Sequence, residues 1–393
     1  MSTLEKIRDF FKSDALEEHN VESIDDIIDL PVITLFGISR IHAEKLNQIG
    51  IETIKDIAEA SEAPDLEDLP DRVFLKWQRT ATMLLDYTTR PQEKKIIVLG
   101  LDNAGKTSIL SVLQNKYSII KNLLPTRGVS RQTLEFLGTS VIAWDFGGQL
   151  GYRSMYLSRP DLFLESDLCV FVIDVLDTDR YDEAFDYLFN ILDTIKDLED
   201  IPPIIIDLHK FDPDIETKLD ITKKRAELID RIATKVLKEG YECTFVNTTI
   251  FLRETVEEFF SLAVQKMSAT NFLLEHIMKD FLTEVGAKAI ALMTSSNFIV
   301  GSYSQTEEFR TIVTQTGLLL QALIGFYQKT GFKEDKSYEL KLHDNDLTIL
   351  AQELYPYNHD KLSLWMVFEG TAPEELAGLE AFKKELKPIL DVY

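Results

Sequence analysis

An α/β fold, with a mostly parallel sheet flanked by helices, is predicted for the middle of this chain. A small all-α segment precedes it and an α+β segment follows it. Three observations carry this expectation. The apolar run Lys95-Ile96-Ile97-Val98-Leu99 leads directly into Gly100-Leu101-Asp102-Asn103-Ala104-Gly105-Lys106-Thr107, which fits G-x-x-x-x-G-K-[ST] at a strand-to-helix junction. Further buried-strand runs follow at Val141-Ile142-Ala143-Trp144, Leu168-Cys169-Val170-Phe171-Val172-Ile173 and Ile204-Ile205-Ile206. After Met267 the pattern changes to α-β-β-α-β-β-β-α. A chain of 393 residues is long enough for two or three domains. The boundaries expected are 1–90, 93–267 and 268–393.

The glycine loop sets the chemistry. Gly100 and Gly105 let backbone N–H groups of Asp102, Asn103 and Ala104 converge on a phosphate. The helix starting near Lys106, with Thr107 and Ser108 in its first turn, aims its positive end at the same point. Lys106 supplies a full charge to the outer phosphates, and the Thr107 hydroxyl a ligand for Mg²⁺. A bound nucleoside triphosphate is the expectation; a plain glycine turn is the alternative.

Three later segments extend the site. In Val141-Ile142-Ala143-Trp144-Asp145-Phe146-Gly147-Gly148-Gln149, a strand ends in a carboxylate that can hold the Mg²⁺ through a water. Gly148 can bring its N–H close to a γ-phosphate, and Gln149 can orient an attacking water. The alternative is a hairpin turn with two glycines. In Leu124-Pro125-Thr126-Arg127-Gly128, Thr126 can ligate Mg²⁺ only when a γ-phosphate is present, unless this is a surface turn. Finally, Ile204-Ile205-Ile206-Asp207-Leu208-His209-Lys210-Phe211-Asp212 delivers His-Lys-x-Asp from a strand. The Asp212 carboxylate can accept from N1–H and the exocyclic amine of guanine, whereas adenine presents an acceptor at N1. The Lys210 stem can lie along the base plane. An ordinary charged loop is the alternative there.

Together these motifs resemble the small GTPases of the Ras superfamily, with a P-loop GTPase G domain over roughly 93–267. Leu-Asp-Asn-Ala-Gly-Lys-Thr and Trp-Asp-Phe-Gly-Gly-Gln are similar to the Arf branch, as are Pro125-Thr126 and Arg153. His209 stands where most of the superfamily has asparagine, and His-Lys-x-Asp resembles the Rag (Gtr) GTPases. Phe136-Leu137-Gly138 and Val246-Asn247-Thr248-Thr249-Ile250-Phe251 are also similar to Rag proteins. The latter resemblance implies that the backbone of Thr249 and Ile250 touches the guanine oxygen. An imidazole at 209 cannot copy both roles of a carboxamide. The resemblance implies GTP and GDP as ligands, Mg²⁺ as cofactor, and GTP hydrolysis with Gln149 and Lys106 as catalytic residues. No arginine stands three residues before Thr126, where Leu123 is found, so slow intrinsic turnover is expected.

The flanks are less specific. Leu4, Ile7, Phe10 and Phe11 recur at helical spacing. An apolar helix ending at Leu35, a Phe36-Gly37-Ile38 turn, a second helix and Gly50-Ile51-Glu52-Thr53-Ile54 resemble a helix-hairpin-helix domain over 22–62. With only Arg40 and Lys45 near the turn, DNA is not expected as a partner, and an interaction or spacer module is. An acidic link with Pro64 and Pro70 leads into an amphipathic helix, Arg72 to Leu85. The C-terminal element order resembles the roadblock/longin-like modules through which Rag proteins pair. Helices are predicted from Phe272, over Thr306–Lys329 and over Pro373–Leu390. Strands are predicted at Ala289–Met293, Phe298–Val300, Ser337–His343, Leu347–Leu354 and Leu362–Phe368, forming a mixed sheet. A homodimer, or a heterodimer with a related GTPase, is expected through residues 268–393.

Composition narrows the partners. Net charge is −24, which argues against nucleic acid and anionic membrane surfaces. Cys169 and Cys243 are expected to be buried thiols of a reducing compartment, and the six histidines show no metal-ligand spacing. With no 18-residue apolar run, no Gly at position 2 and no prenylation cysteine, a cytoplasmic protein is expected, with membrane contact only through partner proteins.

Overall fold

The computed structural model describes residues 7–391 apart from 14, 22, 67–68, 90–93, 137–138, 197–200, 216, 269, 331–336, 344–345 and 358–359. Leu4 and the pair Leu137-Gly138 therefore lie outside the described residues.

Ile7 is helical, Phe10 closes the 3-10 turn Arg8–Phe10 and Phe11 follows it, and all three are buried. The expected apolar helix is another such turn, Val32–Thr34. Three β-branched residues follow Pro31, and Gly37 reverses the chain at φ +89°. After a one-turn helix, Ala15–Glu18, comes α1 (Arg40–Gln48), where Ser39 Oγ accepts from the His42 N–H at 3.1 Å. α2 (Ile54–Glu59) opens on a capping box between Thr53 and Asp56. α3 (Asp71–Thr89) packs on α2 and buries Phe74, Trp77, Ala81 and Leu84.

The central sheet has six strands: β1 (Lys94–Gly100), β2 (Val129–Phe136), β3 (Thr139–Phe146), β4 (Leu168–Asp174), β5 (Ile204–His209) and β6 (Cys243–Thr248). Their order is β2-β3-β1-β4-β5-β6. β2 runs antiparallel to β3 and every other neighbouring pair is parallel. Successive residues of a strand face opposite sides, so a strand covered on both faces must be apolar throughout. Ile97 and Leu99 accordingly join a core with α6 (Tyr181–Ile195) and α7 (Leu219–Glu239). Ile96 and Val98 face α4 (Lys106–Leu113) and α8 (Arg253–Met267) on the other side. A short helix, α5 (Leu150–Leu157), follows β3.

The C-terminal segment follows the predicted element order: α9 (Asn271–Val285), β7 (Ala289–Thr294), β8 (Ile299–Ser304), α10 (Glu307–Lys329), β9 (Ser337–Leu342), β10 (Leu347–Tyr357), β11 (Asp360–Glu369) and α11 (Leu379–Asp391). The sheet order is β8-β7-β11-β10-β9. All four pairings are antiparallel, so the sheet is not the mixed one expected. α10 covers one face through Val313 and Leu318 against Met293 and Trp365. On the other face α9 and α11 meet, with Phe281 stacked on Phe382 at 4.4 Å between centroids. The closing helix starts later than Pro373 because Gly378, at φ +73°, still holds a turn. No helix among the described residues is long and apolar enough to cross a membrane.

Cys169 is buried as expected, whereas Cys243, opening β6, is half-buried. Burial pushes both thiols up to about 12.

Candidate nucleotide and metal site

The glycine loop joins β1 to α4 and floors a cavity of about 400 Å³ lined by Asp102, Gly105, Lys106, Thr107, Thr126, Gly148, Gln149 and Lys210 among others. Two glycines make the loop possible. Gly105 has φ +103°, and a Cβ there would lie 2.3 Å from His209 Cδ2. A Cβ on Gly148 would lie 2.2 Å from the Asp102 nitrogen, whose N–H donates to the Gly148 carbonyl at 3.2 Å. The Gly-Gly-Gln segment is thus packed directly on the phosphate loop. Asn103 adopts φ +61° within it, Ala104 is buried, and Ser108 sits in the first turn of α4 at the cavity wall.

Lys106 is buried at the base of the cavity. Its Nζ donates to the carbonyls of Gly100 at 3.0 Å and Leu101 at 2.7 Å. Burial lowers its pKa to about 8, with Asp145 and Asp102 opposing the shift.

The three residues expected to hold the metal converge. Thr107 Oγ1 lies 2.6 Å and Thr126 Oγ1 3.1 Å from Asp145 Oδ2, and the two hydroxyls are 3.0 Å apart. Asp145 is fully buried at the end of β3. Its Oδ1 has no hydrogen-bond partner. Burial raises its pKa, opposed by the Thr107 hydroxyl and the Lys106 charge. An orphaned carboxylate oxygen beside two hydroxyls suits a hard cation that keeps several waters. Among the described residues no cluster of three or more His, Cys, Asp or Glu side chains that could hold a metal ion is found. Gln149 stands exposed at the cavity mouth, at the N-cap position of α5.

The base end is assembled from strand ends. Lys210, at φ +62°, donates from Nζ to the Asn103 carbonyl at 2.9 Å and pairs with Asp174 at 2.7 Å. Asp212 accepts from the Thr249 hydroxyl, and Ile250 packs on the core. Asp212, Thr249 and Ile250 stand beyond the cavity that holds the phosphate-loop residues.

His209 does not face solvent. It is buried against Gly105, and its Nδ1 lies 2.7 Å from Thr248 Oγ1. Thr248 in turn donates to the Asp207 carboxylate at 2.7 and 2.9 Å. The imidazole thereby bridges the phosphate loop to β6. Burial, with a smaller effect of Lys210, pushes its pKa down to about 3, so it is neutral. Burial pushes Asp207 up to about 7. Arg153 is buried, paired with Glu183, and its guanidinium carbon lies 5.2 Å from the centroid of the Tyr187 ring, tying α5 to α6.

Sequence reasoning missed Asp207, Thr248, Asp174 and Arg180. Asp207 left a signal, a lone carboxylate inside an apolar strand. Arg180 and Thr248 left none, since their partners depend on strand adjacency.

The Gtr1/RagA G protein conserved region matches residues 95–322. The ADP-ribosylation factor-like protein alp41 of Schizosaccharomyces pombe is 34% identical over 111 residues, 28% of this chain and 57% of alp41. The chain thus spans a little over half the length of that relative. A solved structure of the Arl6 BBS3 small GTPase from Trypanosoma brucei, with a bound nucleotide analogue, GppNp, aligns with a TM-score of 0.35 and 20% identity, over 45% of this chain and 98% of that one. With its phosphate loop, Gly-Gly-Gln turn and His-Lys-x-Asp strand end, and a family match over more than half its length, this chain belongs to the Gtr1/RagA G protein family, among the small GTPases of the Ras superfamily.

Proposed function

We propose that this chain is a guanine-nucleotide-dependent switch that binds GTP and GDP with Mg²⁺ and hydrolyses GTP slowly. The observation that carries this reading is the orphaned Asp145 Oδ1 beside the hydroxyls of Thr107 and Thr126, directly above the Lys106 loop. Thr107 on α4, Thr126 on the loop before β2 and Asp145 on β3 would hold the ion. Of the three, Thr126 alone lies outside a helix or strand, and it would leave the ion when the γ-phosphate goes. Bound Mg²⁺ would neutralise phosphate charge. Lys106 and the loop amides would hold the phosphates, and Gln149 would orient water at the open mouth. Asp212 would select guanine by accepting two hydrogen bonds, with Thr249 fixing its carboxylate.

Assembly is the second half of the proposal. α10 buries Val313 and Leu318, yet leaves Leu319 72%, Leu323 46% and Phe326 60% exposed along one stripe. This is more apolar surface than the helix needs for its own sheet. A second copy, or a related GTPase, would cover it through residues 268–393. The N-terminal hairpin would serve as an interaction module, and recruitment from the cytoplasm to a membrane would pass through partners.

The test is equilibrium binding of guanine and adenine nucleotides with and without Mg²⁺. GDP and GTP bind far more tightly than ADP and ATP, and Asp212→Asn weakens guanine binding by at least about 2 kcal/mol. Equal affinity for ATP and GTP would sink the proposal.

A further inference from the structure

Among the described residues that line the cavity, Asp102 alone brings a carboxylate. A carboxylate at a site for phosphates is unfavourable unless something neutralises it and fixes where it points. Arg180 does both. It closes the 3-10 turn Thr178–Arg180 between β4 and α6. Its Nη1 donates to Asp102 Oδ1 at 2.9 Å and its Nη2 to the Asp102 carbonyl at 3.2 Å. Its Nε is held by Asp177 at 2.6 Å, which leaves the guanidinium little freedom to leave Asp102. The grip is only about one-third exposed on each side, 32% for Arg180 and 37% for Asp102, so solvent screens it incompletely. Lys210 holds the next residue by its carbonyl and touches no carboxylate of the loop.

We infer that Arg180 is a positioning residue that sets the preference of this site for a nucleoside triphosphate over a diphosphate, by neutralising Asp102 and turning its carboxylate out of the phosphate cradle. This rests on the proposed nucleotide site. Without Arg180, Asp102 stands at the cavity as an uncompensated carboxylate. The repulsion falls hardest on the ligand with the extra phosphate.

The experiment measures the affinities of the full chain for fluorescent GDP and for a fluorescent non-hydrolysable GTP analogue, in wild type, Arg180→Ala, Asp102→Ala and the double variant. Arg180→Ala lowers the triphosphate-to-diphosphate affinity ratio by about tenfold. Adding Asp102→Ala restores the ratio, because the charge that Arg180 restrains is gone. A structural role would lower both affinities together and would not be rescued. Should Arg180→Ala fail to fold, Arg180→Gln keeps the length and loses the charge, and the same shift and rescue apply. A wild type that binds both nucleotides while its ratio is untouched by the Arg180 variants overturns this inference alone, as does a double variant no better than the single one. A wild type that binds neither nucleotide overturns the proposed function along with it.

Discussion

Replacing Asp207 by Asn tests whether the buried chain Asp207–Thr248–His209 is built as described. The carboxyl ionises near 3.8 when unfolded and is pushed to about 7 by burial in β5. A group whose folded pKa is raised keeps its proton in the native state while the unfolded chain loses it. Its contribution is therefore full below pH 3.8 and lost as pH rises toward about 7. The gap between 3.8 and about 7 amounts to a cost of about 4 kcal/mol at pH 7. Asn carries no such cost, and its amide can still bond Thr248. The stability difference, variant minus wild type, grows by about 2 kcal/mol between pH 5 and pH 7. His209 has the opposite sign: burial lowers it from 6.5 to about 3, so its contribution is lost as pH falls below 6.5. In the wild type the two slopes oppose each other between about pH 4 and 6.5. The variant loses that compensation and becomes the more acid-sensitive protein. Urea unfolding of both proteins at pH 5, 6 and 7 reads the difference, in which titrations common to the two cancel. A difference constant within about 0.5 kcal/mol over that range would refute a protonated Asp207.

Two further outcomes follow from the site and the assembly. Gln149→Leu leaves nucleotide affinity within about twofold and lowers single-turnover GTP hydrolysis at least about tenfold, from an intrinsic rate on the order of 10⁻⁴ to 10⁻³ s⁻¹; an unchanged rate removes Gln149 from the chemistry. Leu323→Glu, on the exposed stripe of α10, leaves the melting temperature nearly unchanged and shifts the chain toward monomer in light scattering, whereas an unaltered mass places the interface elsewhere.

What was legible in the sequence is what depends on a few consecutive residues. The phosphate loop needs Gly105 at positive φ beside His209, and the Gly-Gly-Gln turn needs Gly148 against Asp102, so both constraints are written as glycines at fixed spacing. The order of C-terminal elements was legible from alternation and turn residues. The order of strands in the sheet was not, because β11 inserts between β7 and β10 by long-range pairing. The same limit hid the rest of the site. Thr248 meets His209 only through the register of β5 on β6. Arg180 reaches Asp102 only because β4 lies beside β1, with Gly100 opposite Val172.

The packing of α8 decides how assembly should be tested. One apolar core runs from Ile96 and Val98 through Phe259, Phe260 and Val264 of α8 to Leu273, Phe281 and the C-terminal sheet. α8 also caps that sheet: Ser261 Oγ accepts from the Ile299 N–H at 3.1 Å and Gln265 donates to the Ile299 carbonyl at 2.7 Å, at the start of edge strand β8. Glu258, its pKa raised by burial, holds Gln315 of α10 at 2.6 Å. Cutting the chain after Met267 would therefore strip cover from buried α8 side chains as well as remove the proposed interface, and a changed mass would have two causes. A charge on the α10 stripe leaves that core intact. At its first residue, Ile299, the β8 edge is taken by α8, whereas the α10 stripe and the edge strand β9, where Leu342 is 38% exposed, stand open among the described residues. A substitution on α10 that leaves α8 undisturbed therefore separates pairing from folding, and truncation does not.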